Sequence, residues 1–102
     1  MDAIIKRTTA IVKREHWQKA VEKEFIHLIE EVGELANAIR GREGHTSKPA
    51  RSDIADSICD VLWHLIIIAD HYTLDLPKEY MEMVDRMEER IKKGEFHHGR
   101  FA

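Results

Sequence analysis

The sequence predicts an all-α protein, a bundle of four helices, and three observations carry that prediction. Apolar residues recur at alternating steps of three and four in four separate segments, which is the period of a helix with one buried face. Breakers fall between those segments, most clearly in the loop Gly41 to Arg51, GREGHTSKPAR, and at Pro77. Nothing in the chain reads as a strand, so helix on helix is the packing open to it.

Asp2 can cap a first helix running to about Arg14, with Ile4, Ile5, Thr8, Ile11 and Val12 facing inward. Lys6, Arg7, Lys13 and Arg14 make it basic, as a solvated face or one that meets a phosphate. His16 and Trp17 mark a bend. A second helix is expected from about Gln18 to Arg40, with Val21, Phe25, Leu28, Val32, Leu35 and Ile39 as its buried seam. Gly33 inside it costs about 1 kcal/mol relative to Ala and so reads as a point of close approach.

Ser52 is the expected N-cap of the third helix, and Asp53 beside it suits the helix dipole. That helix continues to about Tyr72, with Ile54, Ile58, Val61, Leu65 and Ile68 as its seam. From Val61 onward it is apolar nearly all round, which predicts a subunit interface. Leu76 and Pro77 open a fourth helix, Tyr80, Val84, Met87 and Ile91 repeat the helical step, and Gly94 can end it. Arg86, Arg90, Lys92 and Lys93 lie in its C-terminal half, where cations complement the dipole. The tail EFHHGRFA has no period, and His97 and His98 read as incidental.

At 102 residues the chain is expected to be one domain, residues 1–102. A formal charge of -3 and a pI near 6.1 argue against a nucleic-acid-binding surface. The single Cys59 excludes an intrachain disulfide framework and a cysteine zinc site, which fits a reduced, cytoplasmic setting. The start MDAIIKRTTAIVKRE lacks the continuous apolar core of a signal peptide. The longest apolar run, Val61 to Ala69, is too short for a bilayer, which takes about 20 residues.

The chemistry lies in the acids. Glu30, Glu31 and Glu34 form a stripe beside the second helix's seam, and Asp53, Asp56, Ser57, Asp60 and His64 lie on one flank of the third. Carboxylates crowded together repel, by roughly 4 kcal/mol at about 4 Å and an effective dielectric near 20. They must take up protons or hold a cation between them, and the cation is the more economical reading. Mg²⁺ prefers oxygen ligands, keeps several waters and bridges carboxylates to substrate phosphates. Phosphoanhydride hydrolysis follows naturally, with an uncoordinated carboxylate orienting or deprotonating the attacking water.

The run EEVGELANAI, followed after a loop by DSICDVLWHLI, resembles the MazG-like, all-α nucleoside triphosphate pyrophosphohydrolases over about Glu24 to Arg90. The family's pattern is ExxE on one helix and ExxD on the next. The resemblance implies Mg²⁺-dependent cleavage, with Mn²⁺ as a substitute, between the α and β phosphates. The products would be a nucleoside monophosphate and pyrophosphate, and the assembly a homodimer or homotetramer. Glu31 and Glu34 would be the ExxE carboxylates and Asp60 the aspartate of ExxD, with Glu30 an additional acid and a candidate water-activating base. The glutamate of ExxD falls on Ser57, a poorer Mg²⁺ ligand, so Asp56 is the expected auxiliary ligand, or Asp53. Arg86 or Arg90 would meet substrate phosphate, and Lys93 is a weaker candidate. Trp17, Asn37 and Trp63 are candidates for a base pocket. Clearing damaged or non-standard nucleotides is one role open to such an enzyme.

Two other readings stay open. One is a catalytically degenerate helical module that binds nucleotides or proteins. The other is a carboxylate di-iron bundle, because Glu24 and His27 form an E-x-x-H and Asp60 and His64 add an acid-histidine pair. A di-iron site wants that motif twice, and His27 and His64 read more simply as core histidines or partners of ligands.

Overall fold

The computed structural model describes residues 1–44 and 53–96. Four helices run in the expected order, α1 (Asp2–Arg14), α2 (Val21–Arg42), α3 (Ile54–His71) and α4 (Leu76–Lys92), with no strand among the described residues. The expected cap Ser52 and the histidines His97 and His98 lie outside the described residues. No described helix is long and apolar enough to cross a membrane.

The ends of the helices explain where the boundaries differ from expectation. Asp2 is the first residue of α1 rather than its cap; Met1 precedes it and no side chain caps that end. After α1 the chain turns through His16 at φ 57°, with Trp17 N–H donating to Val12 O at 2.9 Å and His16 N–H to Lys13 O at 3.3 Å. This is the paired bonding that closes a helix on a left-handed residue. Residues 17–20 belong to no helix, and Ala20 has the extended dihedrals φ -58° and ψ 143°, so α2 begins at Val21 and not near Gln18. Asp53 caps α3, its Oδ1 accepting from Asp56 N–H at 2.8 Å, and Asp75 caps α4 by accepting from Lys78 N–H.

Packing centres on the α2–α3 pair, with α1 against α3 and α4 largely apart. The start of α2 lies beside the end of α3, where Val21 and Phe25 share a shallow pocket with Ile68 and Tyr72, so the two helices are antiparallel. Each apolar seam divides between two faces. On α2, Leu28 is buried and Val21 and Leu35 half-buried, whereas Phe25, Val32 and Ile39 stay exposed. On α3, Ile54, Val61 and Ile68 are half-buried and Ile58 and Leu65 exposed. The inward face of α2 runs Val21, Glu24, Leu28, Glu31, Leu35, Ala38, and an outward apolar face runs parallel one residue on.

Gly33 departs from expectation as well. It is exposed, and a Cβ placed there would meet nothing within 4 Å, so no neighbour in this chain requires a glycine. Cys59 is exposed.

Candidate active site

The inward face of α2 carries acids because α3 offers it polar partners. Glu24 is 2% exposed, and its Oε1 lies 2.6 Å from His64 Nδ1. A carboxylate only accepts, so Nδ1 bears the shared hydrogen and donates it. His27 stacks on His64 with ring centroids 6.0 Å apart. His64 thus has the core position expected of it, whereas His27 is about half exposed and stands 3.9 Å from Glu30.

From that contact the antiparallel register is fixed. Moving one way along α2 and the other along α3 at an equal rise per residue brings Glu31 level with Ser57, with Glu34 about one turn to one side of that level and Asp60 about one turn to the other. Glu31 and Glu34 are half-buried, Oε2 of Glu34 is shut off from water, and Ser57 is wholly buried. Asp60 and Asp56 are exposed, on the first two turns of α3. Asp53, the alternative auxiliary ligand, is already occupied as the cap of α3. Glu30 projects outward at 63% side-chain exposure.

The donors around this level are carboxylate oxygens from two facing helices, a set that suits a hydrated Mg²⁺ ion sharing its coordination with water and phosphate. Among the described residues no three His, Cys, Asp or Glu side chains converge closely enough to enclose a metal by themselves. The described residues do not assemble the closed cage of carboxylates and histidines that the di-iron reading requires. His64 is committed to Glu24 through Nδ1.

The other candidates divide. Trp17 and Trp63 come together, ring centroids 6.4 Å apart and tilted by 55°. Asn37 is half-buried near the far end of α2, about 20 Å along the helix from Glu24. Arg86 and Arg90 are exposed on α4. Arg90 pairs with Glu95 at 3.4 Å and lies over the Phe96 ring at 4.8 Å, and Lys93 pairs with Glu89 at 3.9 Å. With α4 packed so lightly, this chain does not itself press those cations onto the acidic face. The contact that sequence reasoning missed is that of Glu24 with His64, since the sequence reads Glu24 with His27. Its signal was a place in the inward period of α2, masked because the same glutamate completes an E-x-x-H.

The profile of the MazG nucleotide pyrophosphohydrolase domain matches residues 19–94. Among solved structures, the crystal structure of iMazG from Vibrio DAT 722 is similar, with a TM-score of 0.53 and 25% sequence identity over 86% of this chain and 95% of that one. No curated protein sequence matches this one.

Proposed function

Because the chain belongs to the MazG nucleotide pyrophosphohydrolase family, we propose that it hydrolyses a nucleoside triphosphate between the α and β phosphates, giving a nucleoside monophosphate and pyrophosphate. What supports this reading is the match to the family over residues 19–94, within which Glu31 of α2 lies level with Ser57 of α3 and Glu34 and Asp60 lie about one turn to either side. These three would hold Mg²⁺, or Mn²⁺ in its place, with Asp56 assisting through water. A bound divalent ion would neutralise phosphate charge and polarise the bond to be cleaved.

The chain's own residues supply the rest. Glu30, exposed and uncommitted to the α2–α3 contact, is placed to orient or deprotonate the attacking water. Burial of Glu34 and Ser57 fixes the donors against the helix pair, so little reorganisation is needed when phosphate arrives. Arg86 and Arg90 would meet substrate phosphate from α4 of the same or a second copy. We include a homodimer in the proposal, because the exposed apolar faces of α2 and α3 need a cover.

The test is pyrophosphate release from ribo- and deoxyribonucleoside triphosphates with Mg²⁺, Mn²⁺ or EDTA, resolving the nucleotide product. Monophosphate plus pyrophosphate, lost in EDTA, is expected. Glu34→Gln and Asp60→Asn should each lower turnover at least about 100-fold while circular dichroism stays unchanged. Turnover retained by both variants would overturn the site assignment. A second reading rests on Ser57, whose buried hydroxyl replaces the fourth carboxylate: a degenerate site that binds nucleotide without cleaving it. No turnover with any metal, alongside measurable triphosphate binding, would favour it.

A further inference from the structure

The α2–α3 register spreads the acids that the sequence crowds into two stripes. Glu24 meets His64 across the seam, with Oε1 2.6 Å from Nδ1. Counted from that contact at an equal and opposite rise, Glu31 lies level with Ser57, Glu34 with Ile54 and Asp60 with Leu28. None of these four acids has another acid as its level partner, and Glu34 and Asp60 stand about 9 Å apart along the axis. Asp56 is exposed, and among the described residues no three His, Cys, Asp or Glu side chains converge on one point. Ser57 holds the middle level, wholly buried, beside a half-buried Glu31. Repulsion between carboxylates falls with their distance, so acids spread in this way do not oblige the free protein to hold a cation. Affinity of an oxygen site for a divalent ion also rises with the number of charged ligands, and a neutral hydroxyl stands where a second carboxylate would adjoin Glu31.

Resting on the nucleotide hydrolase reading, we infer that Ser57 makes this acidic face a receptor for a metal–triphosphate complex rather than for a free metal ion. The protein alone binds a divalent cation weakly, because its carboxylates are apart and the level between Glu34 and Asp60 carries one acid instead of two. Triphosphate oxygens supply the charge and the ligands that Ser57 withholds, as suits an ion that combines one or two carboxylates with phosphate. Ion and nucleotide then tighten each other's binding by the same factor. The substrate class is the divalent-metal complex of a nucleoside triphosphate. Metal-free triphosphate is excluded, because it brings negative charge to Glu31, Glu34 and Asp60 with nothing to offset it.

The experiment titrates Mn²⁺ into the full chain without nucleotide, counting free ion by electron paramagnetic resonance. Binding of α,β-methylene triphosphate analogues is measured in Mg²⁺ and in EDTA, and pyrophosphate release from the parent triphosphates on the same preparations. The unmodified protein is expected to reach half-saturation only above about 0.1 mM Mn²⁺, and the analogues to bind at least about tenfold more tightly in Mg²⁺ than in EDTA. Ser57→Glu sets a second carboxylate level with Glu31 and should tighten nucleotide-free Mn²⁺ binding at least about tenfold, whereas Ser57→Ala should leave it unchanged. Should Ser57→Glu fail to fold, Ile54→Glu carries the same test, since Ile54 is half-buried in the first turn of α3 and level with Glu34. Half-saturation of the unmodified protein below about 0.1 mM, no gain in a folded glutamate variant, or analogues bound equally in Mg²⁺ and EDTA would overturn the inference. EDTA-sensitive turnover beside any of these would leave the hydrolase reading standing. Metal-dependent binding of the analogues without turnover of the triphosphates would uphold the receptor for the complex and overturn the hydrolase reading.

Discussion

Glu24 and His64 show how much one pair decides. Glu24 is wholly inside the α2–α3 contact, and His64, with a side chain 13% exposed, is its hydrogen-bond donor at 2.6 Å. Removing one partner of a buried pair leaves the other desolvated and unmatched, whereas replacing both with apolar residues does not. His64→Leu should therefore destabilise the protein by about 3 kcal/mol, and Glu24→Leu combined with His64→Leu by clearly less than the sum of the two single changes. Urea midpoints at one fixed protein concentration check this; simple additivity would show that the pair is not coupled. At this scale the sequence was legible where chemistry repeats along one helix. The spacing of Glu31 and Glu34, the position of Asp60 and the substitution at Ser57 could all be read from it. A carboxylate and an imidazole 40 residues apart could not be paired, because their proximity depends on the register of two helices.

The helices themselves follow from apolar period and turn chemistry, and the misreadings fall where a turn lacks its usual residue. Gly94 at φ 74° ends α4 as its identity predicts. His16 and Thr73 take the same left-handed position after α1 and α3, at φ 57° and 55°. The sequence marks a bend at His16 but not how far the chain runs before the next helix, so a start near Gln18 falls three residues before the observed Val21. Thr73 is the more strained of the two, because a β-branched side chain crowds the backbone at positive φ. Its amide and that of Leu74 nevertheless donate to Asp70 O and Ala69 O at 3.0 and 2.9 Å, so the turn is held by backbone bonds a glycine would keep. Thr73→Gly should raise stability by about 0.5–1 kcal/mol, the relief of left-handed strain less the entropy that glycine adds to the unfolded chain. A urea midpoint that falls instead would mean that the threonine side chain contributes a contact outweighing its strain.

At the scale of the whole molecule, one chain does not close on itself. Its radius of gyration is 17.1 Å, against about 13 Å for a compact chain of this length. Its accessible surface is 8249 Å², about 2,300 Å² more than a compact monomer of this mass exposes. Part of that surplus is apolar. Phe25, Ile29, Val32 and Ile39 on α2 and Ile58, Leu65 and Tyr72 on α3 are each at least 43% exposed, and they follow the helical period of an interior face. Sequence periodicity marks these residues as buried but cannot say by what, since two apolar faces one residue apart read as a single seam. A second copy covering the surplus on each side would bury an area in the range of obligate dimers, about 2,000–5,000 Å² in total. The chain of 11.9 kDa should therefore run at twice that mass in light scattering, and its thermal midpoint should rise with protein concentration, because dissociation is linked to unfolding. Leu65→Asp places a charge in the middle of the outward face while leaving the inward Glu24–His64 contact intact. It should yield monomer with a lowered midpoint that no longer depends on concentration. A Leu65→Asp variant that keeps twice the chain mass would show that the cover over α2 and α3 lies elsewhere, and four times the mass in the unmodified protein would require a second interface, for which α4, with no buried residue of its own, has the free surface.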